Sequence, residues 1–368
     1  MKKILHVYRT SFPETQGGIE QVIKNLSKGL NELNHDVRIL SLSKENKNIV
    51  IDGVEVYYYK RDFSIKSNCF SFSMLINARE HFEWADVINF HYPWPSGDLL
   101  SFFISRTKPI VVTYHSDIIR QRLLKFLYRP LEKFFLNKAC RIYPTSENYL
   151  NSSQTLIPYK GRCEVIPLGI DFEEYRYVDT DIERRYEEKF GRDFFLFVGV
   201  LRYYKGLKYL LEAAKHTGYT VVIAGKGPEE VSLKEYVDRN NLKNVFFLGF
   251  VSEAEKNALL SLCKCFVFPS CVRTEAFGVS LIEALFHGKP IISCEISTGT
   301  SFVNLNEHTG IVIPPSDSLA LANAMKKIEA SDLESMSDNA KKRALEYFSY
   351  KKMAKKYSES YEALTNNG

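Results

Sequence analysis

The feature that most constrains this chain is an alternation. Short apolar runs recur along it, and between them lie stretches whose apolar residues fall at helical spacing. In the first half the runs are residues 4–8 (ILHVY), 37–42, 54–59, 85–90 (ADVINF) and 109–114 (PIVVTY). In the second half they are residues 194–198, 220–224, 245–248, 265–268 (CFVF), 291–294 and 310–315. Runs this short and apolar suit strands buried on both faces, and parallel strands need a crossover between them. The pattern predicts an α/β chain built on doubly wound parallel sheets. Residues 54–59 alternate and have polar ends, which predicts an edge strand. At 368 residues the chain is long enough for two domains with separate cores. The first is expected over residues 1–170 and the second over 171–345, with a terminal helix over 346–368 crossing back to the first. The boundary is placed where polarity rises and a charged run begins at Asp179.

In open sheets of this kind ligands gather at the carboxyl ends of the strands. The turn after the first run carries Gly17 and Gly18, ahead of a helix with apolar positions Ile19, Val22, Ile23, Leu26, Leu30 and Leu33. A glycine pair there either admits a phosphate or sugar to backbone amides or is a plain turn. His91 and His115 stand at two later strand ends, where a histidine is either a hydrogen-bonded structural residue or a ligand contact. In the second half, Gly199, Arg202, Lys205 and Gly206 form a glycine turn with two cations, which suits a diphosphate. The bland alternative is two surface cations. After residues 265–268 comes a loop with Glu275, and Gly278 then opens a helix with Val279, Ile282 and Leu285 on an apolar stripe. The first amides of that helix, from Phe277 to Val279, suit an anion. Glu275 and Glu283 are eight positions apart and can accept hydrogen bonds from hydroxyls at opposite ends of one polar ligand.

Composition narrows the partners. The net charge of +5 hides an asymmetry: residues 1–170 hold 23 Lys/Arg against 16 Asp/Glu, and the remainder is slightly acidic. Much of the excess lies in residues 118–141, where Arg120, Arg122, Lys125, Arg129, Lys133, Lys138 and Arg141 face only Glu132. Leucines, phenylalanines and a tyrosine interleave with them, and Pro130 is expected to break or kink any helix. Such a segment either lies on an anionic leaflet or is a core-facing helix with a solvated basic face. No nucleic-acid module is present. No run of residues is apolar enough to span a membrane, no secretory signal is visible, and seven scattered cysteines suggest a reducing cytoplasm. The acid pair Asp179-Thr180-Asp181 has the form of a metal ligand set, but lies in an exposed charged run and is read as surface.

The stretch 275–290, EAFGVSLIEALFHGKP, resembles the E-x7-E signature of the retaining glycosyltransferases of family 4. That family has the GT-B fold, two Rossmann-like domains facing a cleft. The resemblance implies that Glu275 and the amides of Phe277, Gly278 and Val279 hold the donor sugar and diphosphate, and that Glu283 holds the ribose. It implies that Gly17 and Gly18, in a Gly-Gly-x-Glu turn completed by Glu20, border the donor diphosphate, and that His115 touches the donor sugar. Lys205 fits the family's cationic diphosphate turn. The family's arginine usually follows the glycine directly, where this chain has Val200, so Arg202 is expected to stand in for it. Gly225, Lys226, Phe250 and Val251 are implied to line the nucleobase pocket. The family implies a nucleotide-sugar donor as substrate, no cofactor and no metal.

The middle of the first half, HYPWP through TYHSDIIRQ and YRPL, resembles bacterial transferases that build O-antigen or capsule repeats on undecaprenyl diphosphate. This implies mannose transfer from GDP-mannose to a lipid-linked glycan at the inner face of the cytoplasmic membrane. UDP-N-acetylglucosamine, UDP-galactose and GDP-linked deoxyhexoses are alternative donors. The readings from other classes are a GT-B phosphorylase or epimerase, and a nucleotide-sugar-binding subunit without catalysis.

Overall fold

A computed structural model of the chain describes residues 1–65, 68–118 and 122–366. It divides into two units, one of Met1–Ile170 with Phe348–Gly368 and one of Asp171–Tyr347. Each is a doubly wound α/β layer structure, as the alternation predicts.

The strands of the first unit are β1 (Lys3–Val7), β2 (Asp36–Ser43), β3 (Lys47–Ile51), β4 (Val54–Lys60), β5 (Phe63–Ile65), β6 (Asn68–Phe70), β7 (Val87–Tyr92), β8 (Ile110–Tyr114) and β9 (Arg141–Pro144). Its main sheet runs β3-β4-β2-β1-β7-β8-β9, while β5 and β6 form a separate antiparallel ribbon. All neighbours in the main sheet are parallel except β3 and β4. The expected edge strand, β4, is therefore not at the edge, because β3 covers it. The Asp52-Gly53 turn joining them has both residues at positive φ, 49° and 77°, a turn whose twist matches that of an antiparallel pair. An Asp-Gly pair between two apolar stretches is a hairpin signal, and it was legible.

The helix Gly18–Glu32 buries Val22, Ile23, Leu26 and Leu30, but Leu33 caps its end and is 43% exposed. The helix Arg122–Lys138 runs through Pro130 without a break. Pro130 stands on the exposed side, so water can meet the carbonyl that lacks its usual donor. The inner side is clamped: the Tyr128 hydroxyl donates to Asp98, and the Tyr92 hydroxyl donates to Glu132 at 2.5 Å. Lys138 is spent on the structure, donating to the carbonyls of Ser101 and Ile104 at 2.6 and 2.7 Å. Arg120 lies outside the described residues. Among those described, no helix is long and apolar enough to cross a membrane.

The second unit has β10 (Phe195–Val198), β11 (Val221–Ala224), β12 (Val245–Gly249), β13 (Cys265–Phe268), β14 (Ile291–Cys294) and β15 (Gly310–Ile313). They form one parallel sheet in the order β12-β11-β10-β13-β14-β15. The stretch 163–171 forms only isolated bridges, Cys163 with Ile142 and Ile170 with Ser349. Asp179 is the cap of the helix Thr180–Phe190, accepting from the amides of Asp181 and Ile182 at 3.0 Å. Ser252 and Glu255 form a capping box at the head of the helix Glu253–Leu262.

In each unit the winding reverses beside the first strand, between β1 and β7 and between β10 and β13. At such a switch point the loops diverge and leave a crevice at the strand ends. The β10 and β11 ends approach so closely that a Cβ on Gly225, at φ 137°, would lie 2.0 Å from the Gly199 carbonyl oxygen. Gly225→Ala should therefore destabilise the second unit by about 3 kcal/mol or more. Gly161→Ala, where a Cβ meets nothing within 4 Å, should leave the melting temperature unchanged. Equal melting temperatures for the two variants would contradict this account.

Candidate active site

At the β10/β13 switch point the second unit brings together two of the predicted residues. Lys205 Nζ lies 2.5 Å from Glu275 Oε2, and each side chain is 12% exposed. Ser270 Oγ donates to the same oxygen at 3.3 Å, and the Phe268 ring lies 4.4 Å from the ammonium. The pair exists because two loops converge. Gly206, at φ 68°, ends the short turn Tyr203–Lys205, with its Cα against the Pro269 carbonyl. Lys205 is thereby returned across the end of β10 and sits 3.9 Å from where a Cβ on Gly199 would be. Arg202 is exposed and reaches the Tyr204 hydroxyl, while Val200 is 49% exposed.

The loop carrying Glu275 is braced from behind. Arg273 Nη1 donates to the Ser297 carbonyl at 2.7 Å, and the Gly299 amide donates to the Ala276 carbonyl at 2.8 Å. Gly278, at φ 87°, caps the helix Val279–Phe286, and no side chain caps that end. The helix is sunk deeper than a single stripe: Leu281 through Leu285 are all buried, and Val279 is only half-buried.

Glu283 belongs to a second cluster that sequence reasoning missed. Its Oε1 accepts from the Tyr175 hydroxyl at 2.9 Å and from Lys256 Nζ at 3.0 Å. Lys256 also pairs with Glu253 at 2.7 Å. Burial works against the Lys256 ammonium, but Glu283 and Glu253 outweigh it and hold the amine above its usual range. Burial, then Glu283, pushes the Tyr175 hydroxyl well up, so it stays a donor. One carboxylate oxygen is thus fixed from within the protein. A lysine four residues into a capped helix carries no motif, which is why it was passed over.

The four nucleobase candidates are divided. Phe250, 74% exposed, and Val251 line a cavity of about 300 Å³ with Arg185, Tyr186, Lys189, Leu248 and Glu255. Gly225 and Lys226 are not part of it. Gly225 donates to the Gly249 carbonyl at 2.6 Å, and the Lys226 stem passes over Gly249.

In the first unit, Gly17 is the extended cap of the helix Gly18–Glu32, without a side-chain cap. Glu20 folds back over this turn, held by Thr15 Oγ1 at 3.2 Å. His115 follows β8 and is only 4% exposed. His91 lies between His6 and His115, with ring nitrogens 3.0 and 2.9 Å from theirs. Both of its nitrogens are engaged, so of the two readings of His91 the hydrogen-bonded structural one holds. Among the described residues no group of three or more His, Cys, Asp or Glu side chains is placed to hold a metal ion.

Two doubly wound units in one chain, each with its switch point beside its own first strand, are the architecture of the GT-B fold. Residues 16–174 match the family described as Glycosyltransferase Family 4, and residues 179–344 the one described as Glycosyl transferases group 1. The D-rhamnosyltransferase WbpZ of Pseudomonas aeruginosa is 44% identical over 94% of this chain and 92% of its own. The O-antigen chain mannosyltransferase C of Escherichia coli is 40% identical over 98% of each chain. The chain belongs to glycosyltransferase family 4. Two solved structures share the fold at lower identity. Sucrose-phosphate synthase of Thermosynechococcus elongatus superposes with a TM-score of 0.79 at 20% identity over all of both chains. Anabaena HepE with UDP and glucose gives 0.78 at 18%, over 98% of this chain and 99% of that one.

Proposed function

We propose that the protein is a retaining hexosyltransferase that moves a manno-configured sugar from a GDP-linked donor to a lipid-linked glycan. The observation that carries the reading is the Lys205–Glu275 pair at a strand-end crevice, in a chain 40–44% identical to a mannosyl- and a D-rhamnosyltransferase. D-Rhamnose is mannose without its 6-hydroxyl, so one pocket chemistry suits both sugars. Lys205 and Arg202 meet the charge that builds on the departing diphosphate, with the amides from Phe277 to Val279 and the turn at Gly17 and Gly18. Glu275 accepts from donor-sugar hydroxyls and His115 touches the same sugar. Glu283 accepts from the ribose through the oxygen that Tyr175 and Lys256 leave open. Gly225, Lys226, Phe250 and Val251 flank the base.

Glu275 spends its oxygens on sugar hydroxyls in this scheme, which makes it a poor nucleophile and supports same-face attack with the leaving phosphate as base. No resident metal or cofactor enters this scheme. Trapping a glycosyl adduct on Glu275 would overturn the same-face mechanism. Calorimetric titration with GDP and with UDP tests the donor. Binding of GDP alone is expected, and binding of UDP alone would move the donor to the UDP sugars.

The acceptor reading rests on the outer side of the helix Arg122–Lys138. Phe126, Leu127 and Phe134 are exposed there beside Arg129 and Lys133. Exposed Phe102 stacks on Phe134 at 4.3 Å, with exposed Phe103 next to it in the chain. Aromatic and leucine side chains beside cations suit the headgroup zone of an anionic leaflet. The protein is expected to sediment with phosphatidylglycerol vesicles and not with phosphatidylcholine alone. Replacing Phe126, Leu127 and Phe102 by Ser should weaken binding at least about tenfold. Unchanged sedimentation of that variant would remove this surface from the scheme.

A further inference from the structure

The first unit holds three buried imidazoles in line. His6 Nδ1 lies 3.0 Å from His91 Nε2, and His91 Nδ1 lies 2.9 Å from His115 Nε2. The sheet register produces the line. His6 on β1 pairs with Asn89 on β7, and His91 pairs with Thr113 on β8. Neighbours in register share a face, and so do residues two apart. His6, Asn89, His91, Thr113 and His115 therefore stand on one face, across the switch point. Beneath the imidazoles a second polar layer locks the strands. Asn89 Nδ2 donates to Thr113 Oγ1 and to the Tyr361 hydroxyl at 3.0 and 2.8 Å, and Tyr357 lies 3.0 Å from Thr113 Oγ1. Exposure rises along the line, from 0% at His6 through 1% at His91 to 4% at His115. His115 is the least enclosed of the three.

The three rings are neutral. Burial lowers His6 and His115 to about 3 and places His91 well below its ordinary value. A neutral imidazole has one N–H and one bare nitrogen. A line of three therefore has two self-consistent states. In one, every proton sits on Nδ1: His6 donates to His91, and His91 donates to His115. In the other, every proton sits on Nε2 and the direction reverses. The states differ at the closed end. His6 Nε2 is buried and has no hydrogen-bond partner among the described residues. The reversed state leaves an N–H stranded there, whereas the first leaves only a bare acceptor. Orphaned buried N–H groups are the rarer and less tolerated of the two.

We infer that His6 and His91 are positioning residues that hold His115 as its Nδ1–H tautomer, so that His115 presents a hydrogen-bond donor to the substrate rather than a base. The inference rests on the reading of His115 as substrate-facing. It assigns His115 to a sugar or leaving-group oxygen and removes it as acceptor of the incoming hydroxyl's proton. That proton must then pass to the leaving phosphate.

The test is a long-range proton–nitrogen NMR spectrum of the full-length, nitrogen-15-labelled protein at pH 7.5. The expected His115 pattern is a pyrrole-type Nδ1 and a pyridine-type Nε2, and His6→Phe should convert it to a mixture. A pyrrole-type Nε2 in the wild-type protein overturns the inference, whether or not His6→Phe folds. Transfer assays supply the second readout. His115→Asn, whose amide nitrogen takes the place of Nδ1, should keep at least about tenfold more kcat than His115→Gln, whose amide reaches the place of Nε2. Equal rates for Asn and Gln overturn the donor role. A wild-type rate for His115→Ala overturns the substrate-facing reading instead, and the spectrum still decides the tautomer.

Discussion

Glu275→Ala abolishes sugar transfer and leaves nucleoside diphosphate binding within about tenfold of wild type, while Lys205→Ala weakens both. This asymmetry is the expected result because the two side chains, 2.5 Å apart, have different targets once a donor enters. Lys205 sits over the end of β10 and in the proposed scheme meets the diphosphate in the ground state and as it departs, so its loss should cost about 10²- to 10³-fold in kcat as well as affinity. Glu275 in that scheme meets only the sugar. Without Glu275, Lys205 remains largely buried against the Phe268 ring without that counter-charge, and it gains attraction for the diphosphate. The double variant should therefore bind nucleotide more weakly than Glu275→Ala does. Calorimetry with GDP and a radiolabelled transfer assay separate the two effects. Transfer by Glu275→Ala at more than about a tenth of the wild-type rate would remove Glu275 from the site.

Acid is expected to unfold the first unit before the second. His6, His91 and His115 are held neutral by burial, with no carboxylate contributing to any of the three shifts. Burial also lowers His35 and His81 in the same unit. The sign follows from linkage. Each depressed imidazole binds a proton in the unfolded chain below pH ~6.5, whereas folded His6 and His115 stay neutral down to about pH 3, so the stabilisation is complete above pH ~6.5 and is lost as pH falls. Asp98 opposes this, because burial raises its carboxyl and favours the folded state in acid. Three strongly depressed imidazoles against one carboxyl leave a net of roughly one to two protons, or about 2–3 kcal/mol per pH unit near pH 5. In the second unit His287 is lowered to about 4 by burial, so that unit is less sensitive. Hydrogen exchange at pH 7.5 and 5 should show protection lost in β1, β7 and β8 first. Equal loss in both units would contradict the prediction.

Much of the fold was legible because its signal is local. β13 and β14 fall on their apolar runs residue for residue, and the other predicted strands shift by one or two residues at an end. The doubly wound class follows from the alternation alone. β3 was missed because Lys47–Ile51 is short and half-polar, and only the Asp52-Gly53 turn announced it. Pro130 does not break its helix, because propensity speaks for a segment in isolation. Here Tyr128 on Asp98 and Tyr92 on Glu132 hold the helix in place, and both partners come from distant parts of the chain.

The candidate site divides along the same line. Glu275, Glu283, Lys205 and the Gly278 cap lie in compact strand–turn–helix patterns, so residue type and spacing expose them. Tyr175 and Lys256, which fix one oxygen of Glu283, are 108 and 27 residues away from it and carry no pattern. His6 looked like any polar residue in a buried strand. Its meaning depends on β1 lying beside β7, which is a property of sheet order. The sequence by itself determined which segments are strands and helices and which residue types stand at strand ends, because those follow from near-neighbour sterics and the burial of apolar faces. Only the tertiary structure decided which side chains meet, because a hydrogen bond 2.9 Å long between residues on separate strands is set by register and winding, to which residues far from either partner contribute.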